Sequence, residues 1–212
     1  MFDLLSYYLF VRLVLKDRNV ILLTGTPGVG KTSIARRLSQ QLDMVHVDIS
    51  EFAIEKGLVV ERDENRQTFV IDEDKLREEL LKLIEQVSKQ GRELLLDGHF
   101  ADIVPKKLLK CVIVLRLNPK ELFDRLVKKR WVEKKIKENV EAELLDVCLI
   151  RAVEKYGEKI VKEVDVTGLN EDEASKLVLE ALSGKNDKFK PGSVNWLKVI
   201  EEDEDFRKRI LL

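Results

Sequence analysis

Residues 25–32 have the sequence Gly-Thr-Pro-Gly-Val-Gly-Lys-Thr, which matches the phosphate-binding loop pattern G-x-x-x-x-G-K-[ST] at every position. The apolar run at 20–23 precedes this loop and predicts a short buried strand of a parallel sheet. Residues 33–38 follow it and predict the first turns of a helix. A strand, a glycine-rich loop and a helix in this order predict an α/β fold with a phosphate site at the helix N-terminus.

The residue types within the loop fit a polyphosphate and a divalent cation. Gly25 and Gly30 carry no Cβ, so the backbone can turn successive N–H groups inward to form a nest for phosphate oxygens. Lys31 is expected to reach the β- and γ-phosphates, and the Thr32 hydroxyl is expected to be a ligand of Mg²⁺. The loop therefore predicts ATP and Mg²⁺ as cofactors.

Length and charge limit the class of protein. The 212 residues suffice for one α/β domain, and 38 Lys and Arg against 39 Asp and Glu leave a net charge of −1. This balance gives no overall positive field, so we expect no direct sequence-specific binding of nucleic acid. Cys111 and Cys148 lie in apolar stretches without metal-ligand spacing, which predicts small buried side chains and a cytoplasmic protein.

Residues 1–18 are predicted to be an N-terminal extension. Within it, residues 4–15 are mostly apolar but are interrupted by Arg12, and they are too few to span a bilayer. They also lack the basic flank and the small-residue cleavage site of a signal peptide. We expect an extra helix packed on the domain or an interface element, unless an upstream start codon accounts for the segment, and no membrane association.

Apolar runs and polar breaks predict strands that alternate with helices over residues 19–183. The predicted strands are 20–23, 44–48, 92–97, 111–117 and 160–166. The predicted helices are about 32–42, 72–90, 119–156 and 170–183. The polar residues 49–71 predict irregular structure. This alternation predicts a five-stranded parallel sheet flanked by helices, the fold of P-loop NTPases, in which ligands bind at the carboxyl ends of the strands.

Titratable side chains follow two of the predicted strands. Asp48 and Asp97 stand at strand ends, where the P-loop also lies, so we expect all three in one site. Asp97 is expected to hold Mg²⁺ directly or through water, the alternative being a capping role. His99 either orients the phosphoryl group or a water molecule, or makes a structural hydrogen bond. His46 lies in an alternating strand and is predicted to be structural.

Residues 128–138 contain six cations among eleven residues. Such a run is most often a solvated helix face. Phosphoryl transfer, however, needs cations that close over the γ-phosphate, because negative charge spreads over its equatorial oxygens. Lys129 and Arg130 are the best candidates for this role. The segment therefore predicts a lid over the nucleotide.

Residues 184–212 are predicted to be a separate C-terminal tail. Residues 184–187 resemble a linker, and Pro191-Gly192 predicts a turn. An amphipathic segment then follows, with apolar positions at Trp196, Leu197, Val199, Ile200, Phe206 and Ile210. This segment either folds back on the domain or docks a partner.

Three motifs together resemble the adenylate kinase isoenzyme 6 family, small archaeal and eukaryotic nucleoside monophosphate (NMP) kinases linked to assembly of the small ribosomal subunit. They are the P-loop, Asp97-Gly98-His99, and Glu133-Lys134-Lys135-Ile136 with Glu138, Asn139 and Glu143 downstream. The resemblance covers about residues 19–183. It implies an NMP kinase-like fold with a mobile NMP-binding segment at 48–71 and a lid at 128–138.

The resemblance also implies roles for single residues. ATP would be held by residues of the loop and the lid, namely Gly28, Val29, Gly30, Lys31, Thr32, Ser33, Lys129 and Arg130. The catalytic residues would be Lys31, Asp97, His99 and Arg130, with Thr32 and Asp97 at the Mg²⁺ ion. The implied activities are ATP + AMP ⇌ 2 ADP and ATP hydrolysis, and the implied partner is a small-subunit ribosomal protein brought to the pre-ribosome.

Two departures from the family pattern bear on these roles. The family lid usually has Arg-Gly-Tyr or Arg-Gly-Trp where this chain has Lys129-Arg130-Trp131, so either the arginine has shifted one place or Lys129 replaces it. The difference matters because only Arg offers phosphate a bidentate fork. Ile54 stands where such kinases often place an Arg, which leaves the AMP phosphate to Lys56, Arg62 or Arg66.

Three functions remain open at this point. The first is an adenylate kinase that uses Mg-ATP, and the second is a ribosome-assembly ATPase that phosphorylates AMP only incidentally. The third is another small-molecule P-loop kinase. The acidic stretches 72–74 and 201–205 would suit a basic ribosomal protein, but they are also typical of solvated surface.

Overall fold

The computed structural model describes residues 18–63, 68–100, 102–184 and 187–211. Its strands are β1 (Val20–Gly25), β2 (Val45–Asp48), β3 (Val59–Asp63), β4 (Thr68–Ile71), β5 (Leu94–Asp97), β6 (Leu109–Arg116) and β7 (Val161–Asp165). Five of them form a parallel sheet in the order β2-β5-β1-β6-β7, and β3 and β4 pair as an antiparallel hairpin. The predicted five-stranded parallel sheet is confirmed. The extension at 1–17 and Arg66 lie outside the described residues.

Helices cover both faces of this sheet. They are α1 (Lys31–Leu42), α2 (Ile49–Glu55), α3 (Glu73–Lys89), α4 (Pro119–Lys128), α5 (Glu133–Leu144), α6 (Val147–Tyr156), α7 (Glu171–Leu182), α8 (Leu197–Glu202) and α9 (Glu204–Leu211). Two of them begin close to the predicted starts at 72 and 119, where Asp72 caps α3 and Asn118 caps α4, with Pro119 at the first position of α4. None of the helices in the described ranges combines the length and the apolarity that a bilayer crossing requires.

Two apolar cores result from the alternation of side chains along β1. Ile21 and Leu23 join the core on the face covered by α1, α4, α5 and α7. Val20 and Leu22 join the core on the opposite face, which α2, α3 and α6 cover. Because both faces are buried, β1 is apolar throughout and lies at the centre of the sheet. This position places the P-loop between β5 and β6.

The prediction of irregular structure over 49–71 is wrong. Residues 49–55 form α2, which buries Ile49, Phe52 and Ala53, and β3 and β4 then form the hairpin. The buried residues of α2 have helical spacing, but the helix has only seven residues. In the hairpin, buried and exposed residues do not alternate regularly, and an apolar residue such as Val60 is exposed. Elements this short and exposed leave little hydrophobic signal in a sequence.

The prediction of one helical region over 119–156 is also wrong, because the chain turns twice within it. Arg130 has a φ of 57° between α4 and α5, and Asp146 has a φ of 55° between α5 and α6. Both lie in the left-handed region, where glycine is the usual residue. Because Arg and Asp stand at these turns in place of glycine, the sequence does not indicate that a helix ends there.

The C-terminal segment folds back on the domain, the first of the two predicted alternatives. Trp196, Phe206 and Ile210 are buried in the core that contains α4 and α5. Phe206 packs edge-to-face on Phe123, with ring centroids 6.3 Å apart. Lys120 on α4 pairs with Asp203 at 2.7 Å.

Candidate active site

The phosphate-binding loop has the backbone conformation that its glycines allow. Gly25, Gly28 and Gly30 have φ angles of 143°, 101° and 107°, which side chains rarely tolerate. A Cβ on Gly25 would lie 2.5 Å from the carbonyl oxygen of Leu115 on β6, so strand packing also requires a glycine there. The loop leads into the twelve-residue helix α1, whose first N–H groups favour an anion.

The Lys31 side chain lies across the loop. Its Nζ donates hydrogen bonds to the carbonyl oxygens of Gly25 and Thr26, at 2.9 and 3.1 Å. Burial lowers the pKa of Lys31, and the nearby charges of Asp97 and Asp48 partly offset this effect. The neighbouring carboxylates therefore do not fully offset the loss of water around the ammonium group, which is suited to bind a further anion.

Oxygen ligands converge beside Lys31. Thr32 Oγ1 donates to Asp97 Oδ2 at 2.7 Å and also lies 3.3 Å from Asp48 Oδ2. The two aspartates meet because β2 and β5 are neighbours and pair Asp48 with Asp97 in register. The structure thus brings together the P-loop and both strand ends, as the sequence predicts.

These oxygens fit Mg²⁺ in a particular way. Within the described ranges, no group of three or more His, Cys, Asp or Glu side chains forms a metal cage. Mg²⁺ in phosphoryl-transfer sites is typically held by one or two carboxylates, waters and the substrate phosphates. One hydroxyl and the buried carboxylate of Asp97 beside a phosphate-binding loop are such a set.

Two histidines flank this cluster. His46 Nε2 lies 2.5 Å from Asp97 Oδ1, so the residue that was expected to be merely structural orients the candidate magnesium ligand. His99 stacks on Phe100, with centroids 4.3 Å apart, and part of its side chain remains open to solvent. Desolvation by surrounding atoms, and then the charge of Lys31, lower the pKa of His99 to about 4. His99 is therefore neutral at pH 7.

A cavity of about 530 Å³ adjoins the other side of the loop. Gly28, Val29, Gly30 and Ser33 line it together with Arg125, Lys129, Leu169 and other side chains of α4 and α7. Arg125 was missed by the sequence reading, and its Nη1 donates to the Val29 carbonyl at 3.1 Å. Apolar walls with three cations, Arg125, Lys128 and Lys129, suit a flat ring that carries phosphates.

The structure separates the two predicted lid cations. Lys129 lines this cavity next to Gly28 and Gly30, whereas Arg130 is exposed in the turn and is absent from the lining. Arg130 occupies the left-handed position at which the family pattern has glycine. This geometry favours Lys129 as the cation that replaces the lid arginine.

A buried hydrogen bond on the inner side of the loop was not predicted from the sequence. The fully buried Thr26 donates from Oγ1 to Glu143 Oε2 at 2.5 Å. Glu143 Oε1 accepts from Arg116 Nε at 2.7 Å, from the Leu117 N–H at 3.2 Å and from Trp196 Nε1 at 3.0 Å. The loop is therefore supported from behind by a buried carboxylate.

Fold and site together define a P-loop nucleotide-binding protein. The AAA_18 family model, described as an AAA domain, matches residues 21–146. A solved sugar kinase from Janibacter sp. HTCC2649 superposes with a TM-score of 0.53 over 77% of this chain and 93% of its own. At 12% identity, this likeness concerns the fold alone.

Sequence relatives give the particular family. A Pyrococcus furiosus protein named "Putative adenylate kinase" is 39% identical over 183 residues, covering 86% of this chain and 94% of the relative. A Methanococcus maripaludis protein of the same name is 35% identical over 84% of this chain and 96% of the relative. The chain belongs to this family of archaeal proteins named putative adenylate kinases.

Proposed function

We propose that this protein is an adenylate kinase that transfers the γ-phosphoryl group of Mg-ATP to AMP. The observation that carries the proposal is the convergence of Thr32, Asp97 and Lys31 at the P-loop, which also lines a cavity of nucleotide size. The names of the archaeal relatives support the same activity. We place the NMP-binding segment at 48–71 and the lid at 128–138, within a kinase domain of residues 19–183.

Each side chain has a role that its surroundings suit. Lys31 and the loop N–H groups bind the β- and γ-phosphates, while Lys129 and Arg125 contact the nucleotide from the cavity. Thr32 and Asp97 would hold Mg²⁺, which neutralises charge on the transferred group when it is bound. Neutral His99 can donate to or accept from the phosphoryl group or the attacking oxygen.

The acceptor side has one cation that the sequence reading did not consider. Arg36 lines a cleft of about 170 Å³ together with His46 and three carboxylates, those of Asp48, Glu51 and Glu55, and its guanidinium is largely exposed, 3.8 Å from Glu51. Lys56 directly follows α2 and lies over the Phe52 ring and near Glu79. Because three carboxylates line the cleft beside this one cation, the cleft disfavours a phosphate, and the acceptor phosphate stays predicted at Lys56, Arg62 or Arg66.

The test is ADP formation from Mg-ATP with and without AMP. Strong stimulation by AMP, with two ADP formed per ATP consumed, would establish the adenylate kinase. No effect of AMP would contradict it. Slow hydrolysis of ATP to ADP and phosphate would then favour the ATPase alternative, and the ribosomal-protein partner implied by the isoenzyme 6 resemblance would become the next subject of study.

Replacement of His99 by alanine is expected to lower kcat much more than it weakens ATP binding, because His99 lies two residues after Asp97 and does not line the nucleotide cavity. We expect a loss of about 10- to 100-fold in kcat. The wild-type rate should show no ionisation of His99 between about pH 5 and pH 8, since its pKa is lowered to about 4 and the ring gains its proton only below that range. Steady-state kinetics across this pH range measure both effects.

A collapse of ATP affinity in His99→Ala would show that His99 is structural. His99→Gln is the matched variant, because an amide retains one donor and one acceptor. Partial recovery of kcat in this variant is expected if hydrogen bonding to the reacting groups is the role.

The lid cations give opposite expectations for two neighbouring substitutions. Lys129→Ala should raise KM for ATP about tenfold, because Lys129 lines the cavity. Arg130→Gly should leave KM nearly unchanged and raise the free energy of unfolding by about 0.5–1 kcal/mol, because a φ of 57° costs glycine little. Kinetics and thermal unfolding of the two variants measure this difference, and a large KM effect in Arg130→Gly would assign the lid role to Arg130.

A further inference from the structure

The C-terminal segment makes a polar contact whose purpose core packing does not explain. The side chain of Trp196 is buried, and its indole Nε1 donates to Glu143 Oε1 at 3.0 Å. The other oxygen of the same carboxylate accepts from Thr26 Oγ1 of the P-loop. One buried carboxylate thus connects the tail with the nucleotide-binding loop.

The carboxylates around Arg116 explain why a hydrogen-bond donor from the C-terminal segment is needed. Arg116, at the end of β6, is the shared cation of Glu143, Glu163 and Asp146. Three carboxylates around one guanidinium leave an excess of negative charge, which neutral N–H and O–H donors must stabilise. The loop supplies one such donor from Thr26, and the tail supplies another from Trp196.

The tail also meets the second buried carboxylate of this group. Glu163 Oε2 accepts from the Ser193 N–H at 2.8 Å, from Ser193 Oγ at 3.2 Å and from the Val194 N–H at 3.3 Å. The Trp196 ring lies over Arg116, with 5.9 Å between the guanidinium carbon and the ring centroid. The segment 193–196 therefore closes the buried charge group on the side opposite the P-loop.

Thr26 transmits this arrangement to the phosphate site. Its carbonyl oxygen accepts from Lys31 Nζ at 3.1 Å and from the Val29 N–H at 3.3 Å. A change in the position of Thr26 would therefore move both the phosphate-binding lysine and a loop N–H group. The fully buried side chain of Thr26 has Glu143 as its hydrogen-bond partner on the far side.

We propose that Trp196 is a positioning residue for the nucleotide site, which it fixes through Glu143 and Thr26, so that the C-terminal segment is part of the ATP-binding apparatus. The inference rests on the proposed function as far as ATP is the ligand. It assigns the tail a role in affinity for the nucleotide, beyond the apolar packing of Phe206 and Ile210.

The experiment measures the Kd of Mg-ATP by calorimetry for Trp196→Phe, Thr26→Val and the double variant, with thermal unfolding alongside. Trp196→Phe keeps an aromatic ring next to Arg116 but removes the N–H donor together with part of the ring volume, and the control variant below measures the effect of lost packing. We expect each single variant to bind Mg-ATP about three- to tenfold more weakly, and the double variant to bind much better than the product of the two losses predicts. Such non-additivity is expected because both donors act on one carboxylate.

The matched control is Phe206→Leu, which loosens the packing of the same segment without touching Glu143. It should lower the unfolding temperature and leave the Kd unchanged. Unchanged Kd in Trp196→Phe, strictly multiplicative losses in the double variant, or an equal loss in Phe206→Leu would each overturn the positioning role. If the wild-type protein failed to bind Mg-ATP, both the proposed function and this inference would be wrong. If the wild-type protein binds Mg-ATP and the variants behave as in the contradicting outcomes above, only the positioning role of Trp196 is wrong.

Discussion

Replacement of Lys31 by alanine is expected to abolish phosphoryl transfer. Its amino group is the cation that the loop holds beside the phosphate nest. Because burial removes water from this group, its charge interacts more strongly with a bound anion. Preorganised cations of this kind contribute at least about 10³-fold to the rate, equivalent to about 4 kcal/mol of transition-state stabilisation. Measurement of kcat/KM for ADP formation, with AMP present, tests the expected loss of activity.

The fold should survive this change. Burial lowers the pKa of Lys31, so the charged amine is less stable in the folded protein than in water, and alanine removes that cost. We therefore expect an unfolding temperature equal to that of the wild type or higher. The matched control is Lys82→Ala on α3, where the side chain is 69% exposed, and it should retain full activity. Retained turnover in Lys31→Ala would refute the site.

Replacement of Asp97 by asparagine is expected to have the second largest effect. Asp97 is 1% exposed, accepts from Thr32 Oγ1 and lies against His46, so it is held in one orientation. Asparagine keeps the shape but loses a charged oxygen that Mg²⁺ prefers. We expect kcat/KM to fall about 100-fold or more and the Mg²⁺ concentration needed for half-maximal activity to rise.

A titration of activity with Mg²⁺ distinguishes this role from a structural one. If Asp97 only supported the fold, Asp97→Asn would lower the unfolding temperature while the Mg²⁺ dependence stayed the same. Asp74→Asn is a suitable control, since that carboxylate lies on α3 and is 94% exposed. It should behave like the wild type in both measurements.

Much of the fold follows from local signals in the sequence. Continuous apolar runs gave β1, β5 and β6, because strands buried on both faces need no polar alternation. Capping residues located the starts of α3 and α4, because the caps act through bonds to the next few residues. The missed elements, α2 and the β3–β4 hairpin, are short and partly exposed, so their stability comes from contacts that are remote in sequence.

The breaks at Arg130 and Asp146 show a second limit. Both residues adopt a backbone conformation that is costly for them and that nearby packing imposes. The helices on either side have ordinary helical periodicity, so the hydrophobic pattern continues across the turns. Only the need to pack α5 and α6 onto different faces of the sheet decides where the chain changes direction.

The phosphate-binding loop can be recognised from the sequence alone, because its glycines, lysine and threonine are close together in the chain and their roles depend on local backbone geometry. The sequence also determined that Asp48 and Asp97 end strands. The side chains around the loop and these aspartates depend instead on long-range packing: His46 reaches Asp97 because β2 and β5 are neighbours, and Arg125 reaches Val29 from α4. Thr26 and Glu143 are 117 residues apart in the chain, and their hydrogen bond depends on how α5 and the tail pack, which no local pattern encodes.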